Sequence, residues 1–368
     1  MAILRRFAAL ATLFMCSACS LFLPKDHFGA REVPFDSLVG WEAENHAEAL
    51  GVFLNSCDVL AKKPSVVAKE SNITIASGIW NSLCAEAKSA STSQAKAKAF
   101  FETRFTPFRV NNNGKKSGLF TGYYEPVLYG ATHKGGDFQY PLYAAPADLK
   151  DNKPYLSRAE IDNGALAGKK LELLWVDDPV MLFFMQIQGS GRIRLVNGKE
   201  VRMGYADQNG HPYFAIGKFM REENLLEKDN INFFTIRQWL YKNRDQAFEM
   251  MQRNPSYVFF RKIEGDGPIG SVGVPVTRER TLAVDSKYIP YGLPLYLETE
   301  LPAEPQREPV AFNRIMIAQD TGGAIRGPVR GDVFFGSGDM AEYYAGYMKS
   351  KGSYSLLVPK EVAAQLQQ

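Results

Sequence analysis

Apolar side chains recur at every third or fourth position through much of the first third of the chain. The stretch 50–60 has Leu, Phe or Cys at this spacing, which is typical of the buried face of an α-helix. The same spacing predicts two further helices, one around residues 80–87 and one at about 93–104. We assign these apolar faces to a hydrophobic core and no function to them.

From residue 117 onwards, short runs of β-forming residues alternate with Gly and Pro. This texture predicts short strands and, after Pro255, a compact β-barrel. The expected strands are 117–125, 138–143, 171–175, 257–261, 274–276, 280–285, 294–299, 314–318 and 333–335. Helical spacing returns at about 213–226, 235–243, 246–253 and 340–349.

The apolar run 180–185 leads into Gln186 and Gln188, which alternate with Ile187. Taken as a strand, this pattern places both amides on one face, where they would offer donors and acceptors to a hydroxyl-rich ligand. A polar strand face capped by a turn is the alternative. The pair Asn209-Gly210 predicts a β-hairpin.

Candidate chemistry is concentrated between residues 315 and 339, where Asp320 and Asp332 lie among glycines at positions 322, 323, 327, 331 and 336. So many glycines indicate positive φ angles or close backbone approach. Asp332 precedes three β-formers, so we expect it to end a tight turn and enter a strand whose partner begins near Ile315. Apolar surroundings would raise its pKa, as a general acid near neutral pH requires. The alternative is that these aspartates are turn residues.

A third carboxylate, Asp285, directly follows the apolar residues 282–284. Turn chemistry does not account for an aspartate there. The three acidic positions together favour a functional site over an ordinary loop.

The composition is that of a globular protein of 368 residues, long enough for about two domains. The formal charge of +3 falls to +1 without Arg5 and Arg6, and no basic run interleaves with aromatics, so nucleic acid is not an expected partner. The four histidines are scattered and there is no C-x-x-C, so we expect no metal and no cofactor.

The first twenty residues combine Arg5 and Arg6 with a short apolar core, which matches an export signal. Ala18 before Cys19 is similar to a lipoprotein cleavage box, which predicts removal of residues 1–19 and lipidation of Cys19; ordinary signal cleavage is the alternative. Residues 20–35 are expected to form a tether. Cys57 and Cys84 could pair in an oxidising periplasm or remain free thiols.

Six motifs in order carry a family resemblance: F-T-G-Y-Y-E-P (120–126), F-M-Q-I-Q-G-S-G (184–191), G-Y-A-D-Q-N-G (204–210), A-V-D-S-K-Y-I-P-Y-G (283–292), A-Q-D-T-G-G-A-I-R-G (318–327) and R-G-D-V-F-F-G-S-G (330–338). From about residue 110 to the C-terminus the chain resembles the membrane-bound lytic murein transglycosylase A family. The helical region before it matches only loosely.

The resemblance implies a mainly β fold with N-terminal and peripheral helices. A double-psi β-barrel (3D) domain, 36–126 plus 256–368, would carry an inserted β-rich domain, 127–255, and a groove between them would hold a glycan strand of peptidoglycan. It also implies an outer-membrane lipoprotein facing the periplasm of a Gram-negative bacterium, which we expect to be a monomer.

The implied activity is that of a peptidoglycan lytic exotransglycosylase, a lyase that cuts the β-1,4 bond between N-acetylmuramic acid and N-acetylglucosamine without water. The motifs themselves do not distinguish exo from endo cleavage. Asp332 matches the catalytic aspartate, acting first as acid and then as base, while Asp285 and Asp320 would support the turn by accepting backbone N–H bonds. Gly322 and Gly323 are further supporting residues. The candidate sugar contacts are Thr121, Tyr123, Tyr124, Gln186, Gln188, Ser190 and Tyr205.

Two other interpretations fit parts of the sequence. A glycan-binding lipoprotein could use the same groove without cutting. The D-T-G at 320–322 is also found in aspartic proteases, which need two such aspartates and hence would require a symmetric dimer here.

Overall fold

The computed structural model describes residues 26–91, 93–150, 153–265, 267–303 and 308–366. The predicted signal peptide, Cys19 and the first part of the expected tether lie outside these residues. Within the described ranges, no helix is both long enough and apolar enough to cross a membrane.

The chain forms α-helices and β-strands with the following bounds. The helices are α1 (His46–Asn55), α2 (Cys57–Leu60), α3 (Ser77–Ala90), α4 (Gln94–Arg104), α5 (Arg158–Glu160), α6 (Pro179–Gln188), α7 (Ile216–Glu222), α8 (Phe233–Lys242), α9 (Arg244–Gln252) and α10 (Asp339–Tyr347). The strands are β1 (Phe28–Glu32), β2 (Ser65–Ala68), β3 (Ile73–Ala76), β4 (Phe105–Asn112), β5 (Gly118–Glu125), β6 (Val127–Ala131), β7 (Tyr140–Tyr143), β8 (Glu172–Val176), β9 (Ser190–Leu195), β10 (Glu200–Gln208), β11 (Val258–Ile263), β12 (Thr281–Ala283), β13 (Pro294–Glu300), β14 (Ala311–Asp320), β15 (Arg330–Ser337) and β16 (Lys349–Pro359).

The larger sheet closes into a barrel. Its strand order is β1-β4-β16-β13-β14-β12-β15-β5, and β16 also pairs with β5. The long strand β16 makes this closure possible, because its first residues pair with β5 and its later residues pair with β13 and β4. The ring β16-β13-β14-β12-β15-β5 therefore has no free edge, and β4 and β1 extend from it.

A second, six-stranded sheet has the order β11-β10-β9-β6-β8-β7. It begins directly after β5. Pro126 ends that strand because proline has no N–H to donate to the ladder. The sheet includes Val258–Ile263, so it extends past the predicted boundary at residue 255. A salt bridge between Arg192 Nε and the buried Glu125, 2.6 Å long, joins the end of β5 to this sheet.

The predicted N-terminal helices are confirmed, and they pack against the barrel as part of one core. The pairing of Cys57 and Cys84, which the sequence left open, is a disulfide between α2 and α3. The packing near this disulfide explains why residue 292 is a glycine. Its φ is +82°, and a Cβ there would lie 2.1 Å from the Leu60 side chain. The helices therefore pack directly on the segment that follows Asp285.

The prediction of a tether over residues 20–35 is wrong for its described part. Phe28–Glu32 is strand β1, which pairs with β4 at the edge of the barrel sheet. Polar and apolar residues mix in this short strand because its side chains are only partly buried, so it has no clear hydrophobic period.

The prediction of a strand for residues 180–188 is also wrong, because they form helix α6. An apolar run of this length is compatible with either element, and the deciding signals lie at its ends. The Asp178 side chain caps the helix by accepting from the amides of Val180 and Met181, and Pro179 occupies its first turn. Gly189, with φ of 81°, ends it.

The hairpin predicted at Asn209-Gly210 is not present. Asn209 is fully buried, and its amide donates to Leu156 O and Pro255 O. The hairpin of this region joins β9 to β10, and its turn contains Gly198 at φ 81°. Residues 274–276, which were also predicted to form a strand, do not form one. Pro275 makes only an isolated bridge with Ile269.

Candidate active site

Asp332 lies on a central barrel strand. It is opposite Ala283 of the antiparallel strand β12 and Thr121 of the parallel strand β5. The predicted neighbour, the strand beginning near Ile315, is separated from β15 by β12, so that prediction is wrong. Gly331 is required by this packing, because a Cβ there would lie 2.8 Å from the Leu282 side chain.

The carboxyl group of Asp332 has one occupied and one available oxygen. Thr121 Oγ1 donates to Oδ1, and Arg330 Nη2 donates to the same Thr121 oxygen over 2.8 Å. Because the arginine can only donate, the hydroxyl proton of Thr121 points to Asp332. Among the described residues no donor bonds Oδ2, so a proton on Asp332 is carried by Oδ2.

Burial raises the pKa of Asp332 above its ordinary value. The cationic Arg330 and the Thr121 hydrogen bond oppose this shift, and the charge of Asp320 adds to it. The side chain remains partly exposed. It is therefore a desolvated acid that a ligand can still reach.

Asp320 accepts hydrogen bonds on both carboxyl oxygens. Oδ1 accepts from Ser271 N at 3.0 Å, Ser271 Oγ at 2.8 Å and Thr321 N at 2.9 Å, and Oδ2 accepts from the Tyr123 hydroxyl at 2.9 Å. These donors favour its charged form, yet burial still raises its pKa. Each oxygen of Asp320 therefore already accepts at least one hydrogen bond from the protein.

Asp285 is buried at 3% exposure and holds two backbone segments together. Its Oδ2 accepts from Gly327 N at 2.9 Å, and its Oδ1 accepts from Lys287 N at 3.2 Å. Gly327 has a φ of +99°, which only glycine adopts readily. Asp285 thus fixes the turn between Asp320 and Asp332.

A wall of the site comes from outside the barrel. Tyr213 follows β10 in the second sheet, and its Cβ is 3.7 Å from the position that a Cβ on Gly323 would occupy. Desolvation raises the pKa of the Tyr213 phenol, and the charge on Asp332 raises it further. A residue from outside the barrel therefore lies close to the loop after Asp320 and near Asp332.

The other predicted contact residues lie in different surroundings. Tyr123 and Tyr124 point to opposite faces of β5, and both are buried, at 8% and 3% exposure. The Tyr124 hydroxyl donates to Glu342, so its ring packs inside the molecule. Gly322 and Gly323 lie on the loop after Asp320, neither at positive φ.

Gln186 and Gln188 do not share a face, because two residues apart on a helix are about 200° apart. Gln186 is buried, and its amide oxygen accepts from Arg158. Gln188 accepts from Tyr124 N at 3.0 Å and so ties α6 to the barrel strand β5. Ser190 is buried, whereas Tyr205 is 45% exposed. In the described ranges, no hydrogen bond joins either of them to the three aspartates.

Sequence reasoning missed Arg330, Tyr213 and Ser271. The sequence did contain a signal for Arg330. It precedes Asp332 by two residues, and residues two apart in a strand share a face. Tyr213 and Ser271 lie outside regular strands and helices, where no periodicity points to the site. Over the described residues, no group of three or more His, Cys, Asp or Glu side chains could hold a metal ion.

The closed barrel, the second sheet and the three aspartates define a two-part protein with an acidic candidate site, and comparisons with known proteins show its family. Residues 119–261 match the MltA specific insert domain, and residues 280–358 match the 3D domain. A solved membrane-bound lytic murein transglycosylase from Agrobacterium tumefaciens is 31% identical, with a TM-score of 0.83 over 92% of this chain and 99% of that one.

Escherichia coli MltA with bound chitohexaose is 26% identical, with a TM-score of 0.69 over 90% of this chain and 94% of that one. The curated membrane-bound lytic murein transglycosylase A of Vibrio cholerae is 34% identical over 244 residues, and the match covers 65% of each chain. The alignment thus spans just under two thirds of that relative. The chain belongs to the membrane-bound lytic murein transglycosylase A family.

Proposed function

We propose that the protein is a lytic transglycosylase that cleaves the β-1,4 bond between N-acetylmuramic acid and N-acetylglucosamine in peptidoglycan. The observation that carries this proposal is that, among hydrogen bonds from the described residues, Asp332 is the one of the three aspartates with a carboxyl oxygen that accepts none. Hydrolysis with ordinary glycosidase chemistry requires a second carboxylate to activate water or to attack the sugar. Both oxygens of Asp320 and of Asp285 are already bonded.

A single carboxyl group suffices if the substrate supplies its own nucleophile. Asp332 Oδ2 donates its proton to the glycosidic oxygen, and the bond from C1 to that oxygen breaks with its electron pair on the leaving sugar. The C6 hydroxyl oxygen then bonds to C1, and its proton passes to Asp332, which restores the acid. The product carries a 1,6-anhydro bond, and no water is consumed.

The finer architecture that supports this function is also a proposal. The closed six-stranded ring would be a double-psi β-barrel, and the second sheet would be the insert, with the glycan strand lying in the cleft between Asp332 and Tyr213. In keeping with the names of its relatives, the protein would be membrane-associated and face the periplasm. Lipidation of Cys19 and location at the outer membrane are the more specific form of this expectation.

Product analysis tests the activity directly. The chain lacking residues 1–19 is incubated with purified sacculi, and the soluble fragments are analysed by mass spectrometry. We expect fragments with 1,6-anhydromuramoyl ends. Reducing ends would identify a hydrolase, and intact strands that retain the protein would identify a glycan-binding protein without activity.

The pH profile should respond in opposite directions to two charge changes around Asp332. Activity needs protonated Asp332, so it falls as pH rises through the pKa of that group. Asp320→Asn removes a negative charge that raises this pKa, so the falling limb should move to lower pH. Arg330→Met removes a positive charge that lowers it, so the limb should move to higher pH. The measurement is kcat against pH.

Melting temperatures of both variants serve as the control for folding. If the limb moves in the same direction in both variants, or does not move in either, the electrostatic assignment is wrong.

A further inference from the structure

A basic cavity of about 290 Å³ lies beside Tyr213. Two of its lining residues connect it to the site. Tyr213 lines the cavity, and the charge on Asp332 raises the pKa of its phenol. Lys349 of β16 is opposite Thr121 in the strand ladder, and Thr121 donates to Asp332. The cavity therefore lies next to the candidate active site.

The charge of this cavity has one sign. Its lining contains four cations, Lys218, Arg221, Lys228 and Lys349, and no carboxylate. Lys218 Nζ is 3.9 Å from an oxygen of Glu222. No salt bridge within the described residues involves the other three cations. All four side chains are exposed, so they are free to meet a ligand.

The floor of the cavity is aliphatic. It is formed by side chains that include Ile216, Ile231 and Ile236, and the backbone of Gly217 approaches Ile236 so closely that a Cβ would lie 2.9 Å from it. A basic rim over an apolar floor suits a ligand that has carboxylates and small aliphatic groups together. A neutral sugar chain does not have this character.

We propose that this cavity binds the carboxylates of the peptide stem on the muramoyl sugar that is being cleaved. The inference rests on the proposed function and specifies its substrate. The N-acetylated glycan is uncharged where each lactyl group is amide-linked, so the negative charge of the polymer resides in its peptides. The stem is attached to the muramoyl sugar, so it leaves the groove next to the catalytic carboxyl, where the cations lie.

The test measures binding without turnover. The protein carrying Asp332→Asn is titrated by calorimetry with a disaccharide-tetrapeptide fragment of peptidoglycan and with the same fragment after amidation of its carboxylates. Only charge differs between the two ligands. Because exposed ion pairs are individually weak, we expect the charged ligand to bind about tenfold more tightly at low salt. At about 0.5 M salt the two affinities should converge.

A double substitution, Arg221→Ala with Lys228→Ala, should reduce the ratio of the two affinities to about twofold or less. Lys69→Ala, an exposed lysine after β2, is the matched control and should keep the parental ratio. Equal affinity for the two ligands in the parent, or a ratio that the double variant retains, would overturn the proposal. So would binding of anionic phospholipid vesicles that the double variant loses while the ligands do not differ.

Failure of the proposed function is separately visible. It would appear as the absence of anhydro ends from sacculi treated with the parental enzyme, whereas the titration reports on the cavity alone.

Discussion

Replacing Asp332 with asparagine should abolish most turnover and leave the fold intact. Asparagine has nearly the same shape and can still accept from Thr121, but it cannot donate a proton to a leaving oxygen. A general acid contributes about 10² to 10⁴ in rate, so we expect kcat for release of anhydro fragments from sacculi to fall by about that factor.

The stability of this variant is equally informative. The pKa of Asp332 is raised in the folded protein, so ionisation at neutral pH disfavours the folded state relative to the unfolded chain. Removing the ionisable group should leave the melting temperature unchanged or slightly higher. Asp58→Asn, at an exposed position in α2, is the matched control and should leave kcat at the parental value.

Anhydro fragments released at the parental rate by Asp332→Asn would contradict the assignment. A fall in rate together with a large fall in melting temperature would instead mean that Asp332 supports the barrel.

The parts of the fold that sequence predicted are those with a clear period. The three N-terminal helices and most strands of the barrel were found because each buries one face in a shared core. Helix α6 was missed because it is apolar almost all round, since it packs against both the second sheet and the helices beside it. The signals at its ends, Asp178-Pro179 and Gly189, indicate a helix. The alternation of Gln186 and Gln188 with Ile187, which suggested a strand, was misleading.

The acidic residues of the candidate site could be predicted from the sequence, but the residues and strands around them could not. Asp285, Asp320 and Asp332 stand out because each interrupts or adjoins an apolar run. An acid in such a position is expected to be buried. Which strand adjoins β15 is set by the pairing order of the whole barrel, and local sequence does not encode that order. The same holds for Tyr213, which reaches the cleft only because the second sheet packs there.

Arg280→Met should cause the largest loss of stability at a position away from the cleft. Arg280 Nη1 is 2.7 Å from Glu44 and Nη2 is 2.6 Å from Glu48. The Arg280 and Glu44 side chains are almost fully buried, at 4% and 2% exposure. Methionine fills similar space and leaves Glu44 charged in a dry environment, which costs about 3–5 kcal/mol. In a chain of this size, the melting temperature should fall by about 5 °C.

A second substitution separates the loss of the charge pair from the loss of packing. Glu44 also accepts from Ile315 N over 3.0 Å, and its glutamine analogue keeps that bond without the charge. Arg280→Met with Glu44→Gln should therefore melt well above Arg280→Met alone. Lys98→Met, which breaks an exposed pair with Glu42, should lower melting much less. If the double variant melts no higher than the single one, the unpaired charge of Glu44 is not the cause, and lost packing between the N-terminal helices and β14 explains the effect.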